Sequence, residues 1–304
     1  MAPPTVTVFG GTGFLGRRVV RHLADRGFAV RVASRHPDRE RALFPGDSAI
    51  QPIRADVTDD RSVALAVAGA QAVVNAVSLY VERGAATFRA IHVEAAARVA
   101  AQARQAGVTS LVHVSGIGAD PSSRSPYIRS RGEGDLAVRA AFPAAALVRP
   151  SAIIGPDDAL LVPVARMLRR VPVFPLFGRG RTRLQPVHVD DVAAAIIRAI
   201  EVGEGVTYDL GGGSIYSYRG LIELIARHVG RRPLLLPVPF GLWQAGALLA
   251  EHLPHPPVAR NQVEVMRLDN VAALDVPGFA ALGLAPLSVE QVLPMVVPAG
   301  GGRG

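Results

Sequence analysis

Two side chains near the middle of the chain have the spacing of an acid–base pair. Tyr127 and Arg131 are four residues apart, behind Ser125-Pro126, a capping residue followed by a proline suited to the first helical position. A helix there puts both side chains on one face. A phenol held beside a cation is expected to have a lowered pKa and to exchange a proton. The plainer alternative is an ordinary partly buried tyrosine, and Gly132 and Gly134 weaken the expectation of a helix.

A second constellation lies at the start. The apolar run Thr5 to Phe9 meets Gly10-Gly11-Thr12-Gly13-Phe14-Leu15-Gly16 and continues into an amphipathic segment with Leu15, Val19, Val20 and Leu23 on one side. This reads as a strand, a glycine turn and a helix over Phe14 to Arg26. Glycines at these spacings let the chain turn off a strand, bring backbone N–H groups against a pyrophosphate, and pack the helix closely on the sheet. The positive end of the helix then faces the diphosphate. A lone glycine motif is weak, but a second strand, Phe28 to Ala33, follows in the right place.

That second strand ends in Ser34-Arg35, with no carboxylate to accept hydrogen bonds from an adenosine ribose. NADP(H) is therefore expected over NAD(H), with Arg35 on the 2′-phosphate and Arg17 as a second contact. The alternative for Arg35 is a surface arginine, as expected for Arg39 and Arg41. A third strand, Ala49 to Ala55, carries Pro52 and so belongs near a sheet edge. Asp56, with Val57, follows it as the adenine contact, and Asp59 starts the helix Arg61 to Val67.

Further along, Ala72 to Val77 and Ser110 to Val114 read as strands buried on both faces, the first closing on Asn75-Ala76-Val77-Ser78 beside the cofactor. A long helix is expected over Ala86 to Gln105, and Ala145 to Val148 is another strand. The alternation predicts an α/β fold, a doubly wound parallel sheet of Rossmann type with strand order 3-2-1-4-5. The first lobe is 1–150. Beyond it prolines and glycines multiply, and 151–304 is expected as a smaller C-terminal substrate lobe, with about 185–202 returning to pack on the first. In that stretch an aspartate caps a helix, and His188 reads as a packed strand histidine, with a catalytic histidine as the alternative. The span from Arg166 to Arg183 carries six arginines, read either as the mouth for an anionic substrate or as a solvated basic face.

Composition excludes several functions. With no cysteine among 304 residues there is no disulfide, thiolate metal site or cysteine nucleophile, and no metal site is expected. All 33 basic residues are arginine, so Schiff-base chemistry and a P-loop lysine are absent. The formal net charge of +8 raises nucleic acid, but aromatic residues are only 5% and no basic stripe interleaves with them, so no nucleic-acid partner is expected. No secretory leader pattern opens the chain, which makes a cytoplasmic location the expectation. The apolar stretch Leu234 to Ala250 is broken by Pro237 and Pro239 and is expected as a lid helix over the substrate cleft, with a peripheral membrane contact as the alternative.

These motifs together resemble an atypical, extended-type short-chain dehydrogenase/reductase of the NAD-dependent epimerase/dehydratase superfamily. The resemblance rests on Val8 to Gly16, His113-Val114-Ser115, Tyr127 with Arg131, Arg149-Pro150-Ser151 and Gln185 to Val192, in order along most of the chain. Within the superfamily the chain is similar to bacterial relatives of the nucleotide-binding accessory subunit of respiratory complex I, through Phe14 to Arg17, Ala106 to Ser115, Ile153-Ile154-Gly155 and Leu282-Gly283-Leu284. The resemblance implies cofactor contacts from Gly10, Thr12, Gly13, Phe14, Leu15 and Gly16, and from Pro150, Tyr127 and Arg131 farther on. It also implies tightly held NADP(H), a role near quinone metabolism or the respiratory chain, and Tyr127, Arg131 and Ser115 as the catalytic set. Two positions depart from the superfamily: Arg131 stands where it carries lysine, and Ile117 where many members carry a second serine. Two functions stay open, an NADP(H)-dependent oxidoreductase acting on an apolar carbonyl or quinone-like molecule, and a non-catalytic NADP(H)-binding structural or redox-sensing protein.

Overall fold

The structure, a computed structural model, describes residues 3–37, 43–203, 205–250 and 260–299. Arg39, Arg41 and the glycine tail from residue 300 lie outside the described residues. The chain forms two compact units. The first comprises Met1–Pro150, Val189–Leu210 and Leu274–Leu284, and the second Ser151–His188, Gly211–Ala273 and Ala285–Gly304.

In the first unit β1 (Thr5–Phe9), β2 (Ala29–Ser34), β3 (Ile50–Arg54), β4 (Ala72–Asn75), β5 (Ser110–Val114) and β6 (Ala146–Pro150) join the strand Thr207–Leu210. All pairings are parallel, and the order across the sheet is β3, β2, β1, β4, β5, β6 and Thr207–Leu210. The expected 3-2-1-4-5 order is therefore present, with Pro52 in the edge strand, where its missing N–H breaks no ladder. Val6 and Val8 of β1 and Val73 and Val74 of β4 are fully buried, the pattern of strands covered on both faces. Thr7, buried in the same strand, donates its hydroxyl to the Ala66 carbonyl at 2.9 Å. Phe9, Val73, Leu111 and Leu147 pack with Val63 and Val67 of the helix Asp60–Val67, Val99 of Ala96–Gln105 and Val138 of Pro126–Ala141. The helix Phe14–Asp25 packs against Val189–Val202.

Three local expectations change. The segment 86–105 is not one α-helix, because Arg89–Ala95 is wound as a π-helix before the α-helix Ala96–Gln105 begins. The helix Pro126–Ala141 runs unbroken through Gly132 and Gly134. A Cβ on Gly132 would lie 2.3 Å from the Pro121 nitrogen, and one on Gly134 only 2.1 Å from the His92 carbonyl oxygen, so these glycines permit close packing rather than ending the helix. Thirdly, the helix Val189–Val202 begins ahead of Asp190, which therefore sits with Asp191 in the first turn rather than at the cap. There its carboxylate meets His22 Nε2 at 3.2 Å.

The second unit is built from two-stranded pieces. Ile153–Ile154 pairs with Val187–His188, Arg183–Leu184 with Tyr216–Ser217, and Val173–Phe177 with Leu234–Val238. Helices Leu161–Arg170, Tyr218–His228 and Val289–Val296 enclose a core containing Ile154, Leu168, Leu221, Ile225 and Val292. His188 is buried in its short strand. The apolar run expected as a lid helix divides into the strand Leu234–Val238 and the helix Phe240–Ala250. Pro239 lies between them; it has no N–H and holds the preceding Val238 in extended geometry. Among the described residues no helix is long and apolar enough to cross a membrane.

Candidate functional site

The site grows from the C-terminal ends of β1, β4 and β5. At β1 the chain turns on Gly10, whose φ of +76° is left-handed and whose missing Cβ would otherwise lie 2.7 Å from the Ala76 carbonyl oxygen. Gly16 is equally constrained, since a Cβ there would be 2.0 Å from the Gly10 carbonyl oxygen. The first turn thus packs onto the strand end with Leu15 and Gly16 buried, while Gly13 is exposed in extended conformation at the helix cap and Thr12, Phe14 and Arg17 are half-buried. The Arg17 amide makes the first helical bond, to the Gly13 carbonyl at 3.0 Å, leaving the amides of Phe14, Leu15 and Gly16 without intrahelical acceptors. An exposed glycine ahead of free amides is the cradle a diphosphate needs, so the residues present fit a dinucleotide.

Asn75, Ala76 and Val77 lie beside this turn, the Asn75 side-chain oxygen accepting from the Val77 amide at 3.2 Å. Ser34 accepts from the His36 amide at 3.0 Å, and Arg35 is exposed. Asp56 is near enough to Arg35 to feel its charge. Partial burial pushes the Asp56 carboxyl up, but hydrogen bonds from the Thr58 amide and hydroxyl, with Arg35 and Arg98, prevail and hold it below its ordinary value. Arg98 also fixes Val57 through its carbonyl at 3.1 Å. Asp59 caps the next helix through the Ser62 amide at 2.9 Å, in its expected place.

Two of the proton-transfer candidates, Ser115 and Arg131, meet at the ends of β4 and β5; Tyr127 does not line their cavity and is joined to it through Arg131. Val77, Ser78, His92, His113, Val114, Ser115 and Arg131 line one small cavity of about 10 Å³. Arg131 lies 5.1 Å from the Tyr127 ring centroid, so the two do share one helical face, and its guanidinium donates to Ser78 Oγ at 2.8 Å. Gly116 provides room, since a Cβ there would be 2.9 Å from an Arg131 nitrogen, and Pro150 lies alongside, its carbonyl accepting from Ile117 at 3.1 Å. Ser115 Oγ and Arg131 Nε are buried without a protein partner, leaving unspent hydrogen-bonding capacity at the site.

The expected direction of the Tyr127 pKa is reversed. Burial raises it, and this outweighs the opposing pull of Arg131. The phenol is thus a proton holder, enclosed by Phe88, His92 and Tyr80 at ring separations of 5.4, 5.7 and 6.1 Å.

His92 and Asp135 escaped the sequence reading. His92 accepts from the Leu79 amide at its Nε2, 3.0 Å, while its Nδ1 meets Ser130 Oγ at 2.9 Å and that hydroxyl donates to the Tyr127 carbonyl. Burial, then the charges of Arg131 and His113, lower its pKa to about 3, so the ring is neutral. Asp135 is buried and held by Arg149 at 2.7 Å, with His113 Nε2 3.9 Å away. The only sequence signal was the helical offset of eight residues from Tyr127 to Asp135, which is not specific, and the wide turn holding His92 is seen only in the structure. Among the described residues no group of acidic and histidine side chains could hold a metal.

A parallel sheet with a diphosphate cradle at its first turn defines a dinucleotide-binding Rossmann-type fold. The chain belongs to the NAD dependent epimerase/dehydratase family, which it matches over residues 6–211. It is 31% identical over 296 residues to the mitochondrial NADH dehydrogenase (ubiquinone) 1 alpha subcomplex subunit 9 of Arabidopsis thaliana, covering 92% of this chain and 74% of that protein. It is 32% identical over 252 residues to a ceramide reductase of Caulobacter vibrioides, covering 80% and 77%. The crystal structure of gox2253 superposes with a TM-score of 0.71 at 24% identity, covering 95% of both chains. Both levels of the resemblance read from the sequence are borne out.

Proposed function

We propose that the protein is an NADP(H)-dependent oxidoreductase that reduces an apolar carbonyl or quinone-like substrate. The observation that carries this reading is Arg131 packed on Tyr127 beside the unpartnered Ser115 hydroxyl. When bound, the reduced nicotinamide supplies a hydride. A phenol with a raised pKa keeps its proton at neutral pH and suits the donor in the reducing direction. Tyr127 gives that proton to the substrate oxygen, Ser115 orients the carbonyl, and Arg131 stabilises the phenolate left behind. Ser34 and exposed Arg35, with Arg17, favour a 2′-phosphate over a bare ribose. The apolar substrate class is supported by the ceramide reductase relative and by the chain's own apolar runs.

One observation favours a second reading, a nucleotide held as a structural or sensing ligand in a larger assembly such as the respiratory complex named for the Arabidopsis relative. The cavity beside Ser115 and Arg131 measures about 10 Å³, no more than a single water needs, so the structure offers no ready-made substrate pocket at these two side chains. The test is to purify the protein without nucleotide, identify what denaturation releases, and assay NADPH oxidation with apolar carbonyls and quinones. Reversible NADPH binding with turnover abolished by Tyr127→Phe is expected. Stoichiometric NADP(H) retained through purification, with no effect of Tyr127→Phe in any assay, would establish the second reading.

A further inference from the structure

The second unit carries an exposed apolar strand and helix, with arginines near both ends of the strand, that the oxidoreductase reading does not use. The strands Val173–Phe177 and Leu234–Val238 pair in parallel, with Leu234 opposite Val173 and Leu236 opposite Pro175. Alternation turns Phe174, Leu176 and Leu235 to the core. It leaves the other face outward, with Leu234 66% and Leu236 49% exposed. The helix that follows, Phe240–Ala250, is anchored on its inner side: Trp243 Nε1 donates to the Leu176 carbonyl at 3.0 Å, and its ring lies 4.4 Å from that of Phe177. Its outer side carries Leu242, 65% exposed, and Leu248, 52%, and the helix has no charged residue. Four large exposed leucines on one strand and the helix that follows it exceed the scattered single apolar residues of an ordinary surface.

Charge brackets this face at both ends. Where the two strands begin, Arg169 and Arg170 precede one and Arg231 and Arg232 the other, and Arg231 reaches the Arg169 carbonyl at 3.4 Å. Beyond the far end, Arg179, Arg181 and Arg219 line an open cavity of about 450 Å³ whose wall includes Pro237 of the exposed strand. Arg179 and Arg181 have no carboxylate partner among the described residues, and Arg219 has only a long 3.7 Å approach to Glu223. Neither residues 159–189 nor 224–250 contain an aspartate or glutamate. An apolar strip flanked by arginines, of which Arg179 and Arg181 have no carboxylate partner among the described residues, is complementary to a bilayer surface, where leucines enter the acyl boundary and guanidiniums bind phosphates.

We propose that this face docks the protein on an anionic phospholipid membrane, with Leu234, Leu236, Leu242 and Leu248 inserted and the Arg179, Arg181 and Arg219 cavity holding a lipid phosphate. The proposal stands whether or not the protein is a reductase.

The full-length protein is sedimented with vesicles of phosphatidylcholine alone or mixed with phosphatidylglycerol. Binding is expected only to the mixed vesicles and falls with added salt. Each arginine near such a surface contributes about fivefold, so Arg179→Gln, Arg181→Gln and Arg219→Gln together reduce binding on the order of a hundredfold. The corresponding lysine substitutions retain it, which separates charge from misfolding. Leu242→Trp puts an indole on the outer side of the helix, where brominated phosphatidylglycerol is expected to quench it. Equal binding to neutral and mixed vesicles, binding to neither, or binding without quenching would overturn the assignment. So would Leu236→Gln with Leu242→Gln converting a dimer to a monomer while vesicle binding persists, which would give the face to a second copy of the chain.

Discussion

Gly134 is the position at which the site's architecture is most sharply testable. A methyl group there would sit 2.1 Å from the His92 carbonyl oxygen and 3.0 Å from its carbon, both backbone atoms of the neighbouring π-helix. Ordinary carbon–oxygen contacts lie at about 3.3 Å or more, so Gly134→Ala must drive two helices apart by roughly an ångström. Overpacking of this kind costs about 1–3 kcal/mol, and the upper end applies because neither backbone can rotate away. Against it stands a gain of about 1 kcal/mol from replacing a helical glycine with alanine. The net expectation is a loss of about 2 kcal/mol, which in a unit of this size lowers Tm by about 4–8 °C. Gly246→Ala, in a helix where a Cβ would meet nothing within 4 Å, keeps only the gain and is expected to stabilise by up to about 1 kcal/mol. Thermal and urea unfolding followed by circular dichroism would measure both. If Gly134→Ala were as benign as Gly246→Ala, the helix bearing Tyr127 would not rest on the His92 turn, and the description of the site would be wrong.

Three further outcomes are expected. His92 has its pKa lowered to about 3, so below its ordinary 6.5 the unfolded chain takes up a proton that the folded chain refuses. Stability should therefore fall as pH drops from 6.5 towards 3, by at most about 1.4 kcal/mol per pH unit from this group, and His92→Gln should flatten that slope in pH-dependent urea titrations. Arg35→Asp should move the ratio of NADPH to NADH dissociation constants at least tenfold towards NADH, about 1.4 kcal/mol, and an unchanged ratio in fluorescence titrations would refute the 2′-phosphate assignment. Asp135→Ala removes the partner of Arg149 from a buried pair and should cost about 3 kcal/mol, the low end for such losses because Arg149 retains 25% exposure, as read by urea unfolding.

The sheet was legible because its signals are local and repeated. Apolar runs of strand length, each followed by a helical period, specify a parallel doubly wound sheet almost regardless of detail, and Pro52 even marks the edge. The glycine turn was legible for the same reason, since Gly10 and Gly16 are demanded by backbone distances that any larger residue violates. Where the reading failed, the deciding contact came from elsewhere in the chain. Gly132 and Gly134 look like helix breakers until Pro121 and His92 are seen against them. The single apolar run from Leu234 divides because Pro239 separates a strand that pairs with Val173–Phe177 from a helix.

The same distinction explains the acid–base pair. Spacing alone put Tyr127 and Arg131 on one face, and they are there. Spacing says nothing of how deeply the face is buried, and depth sets the sign of the pKa shift. Phe88, Tyr80 and His92 come from the segment after β4 and close over the phenol, removing the water that would stabilise a phenolate. Under the proposed function, Arg131 would be less a device for ionising Tyr127 in the resting state than a charge for the phenolate once its proton has left. An arginine suits that duty: its planar fork lies near the ring and bonds Ser78 at once, and Gly116 leaves the space that a guanidinium needs and an ammonium does not. The replacement of lysine at this position is thus matched by its surroundings, so drift across a chain with no lysine does not by itself account for it.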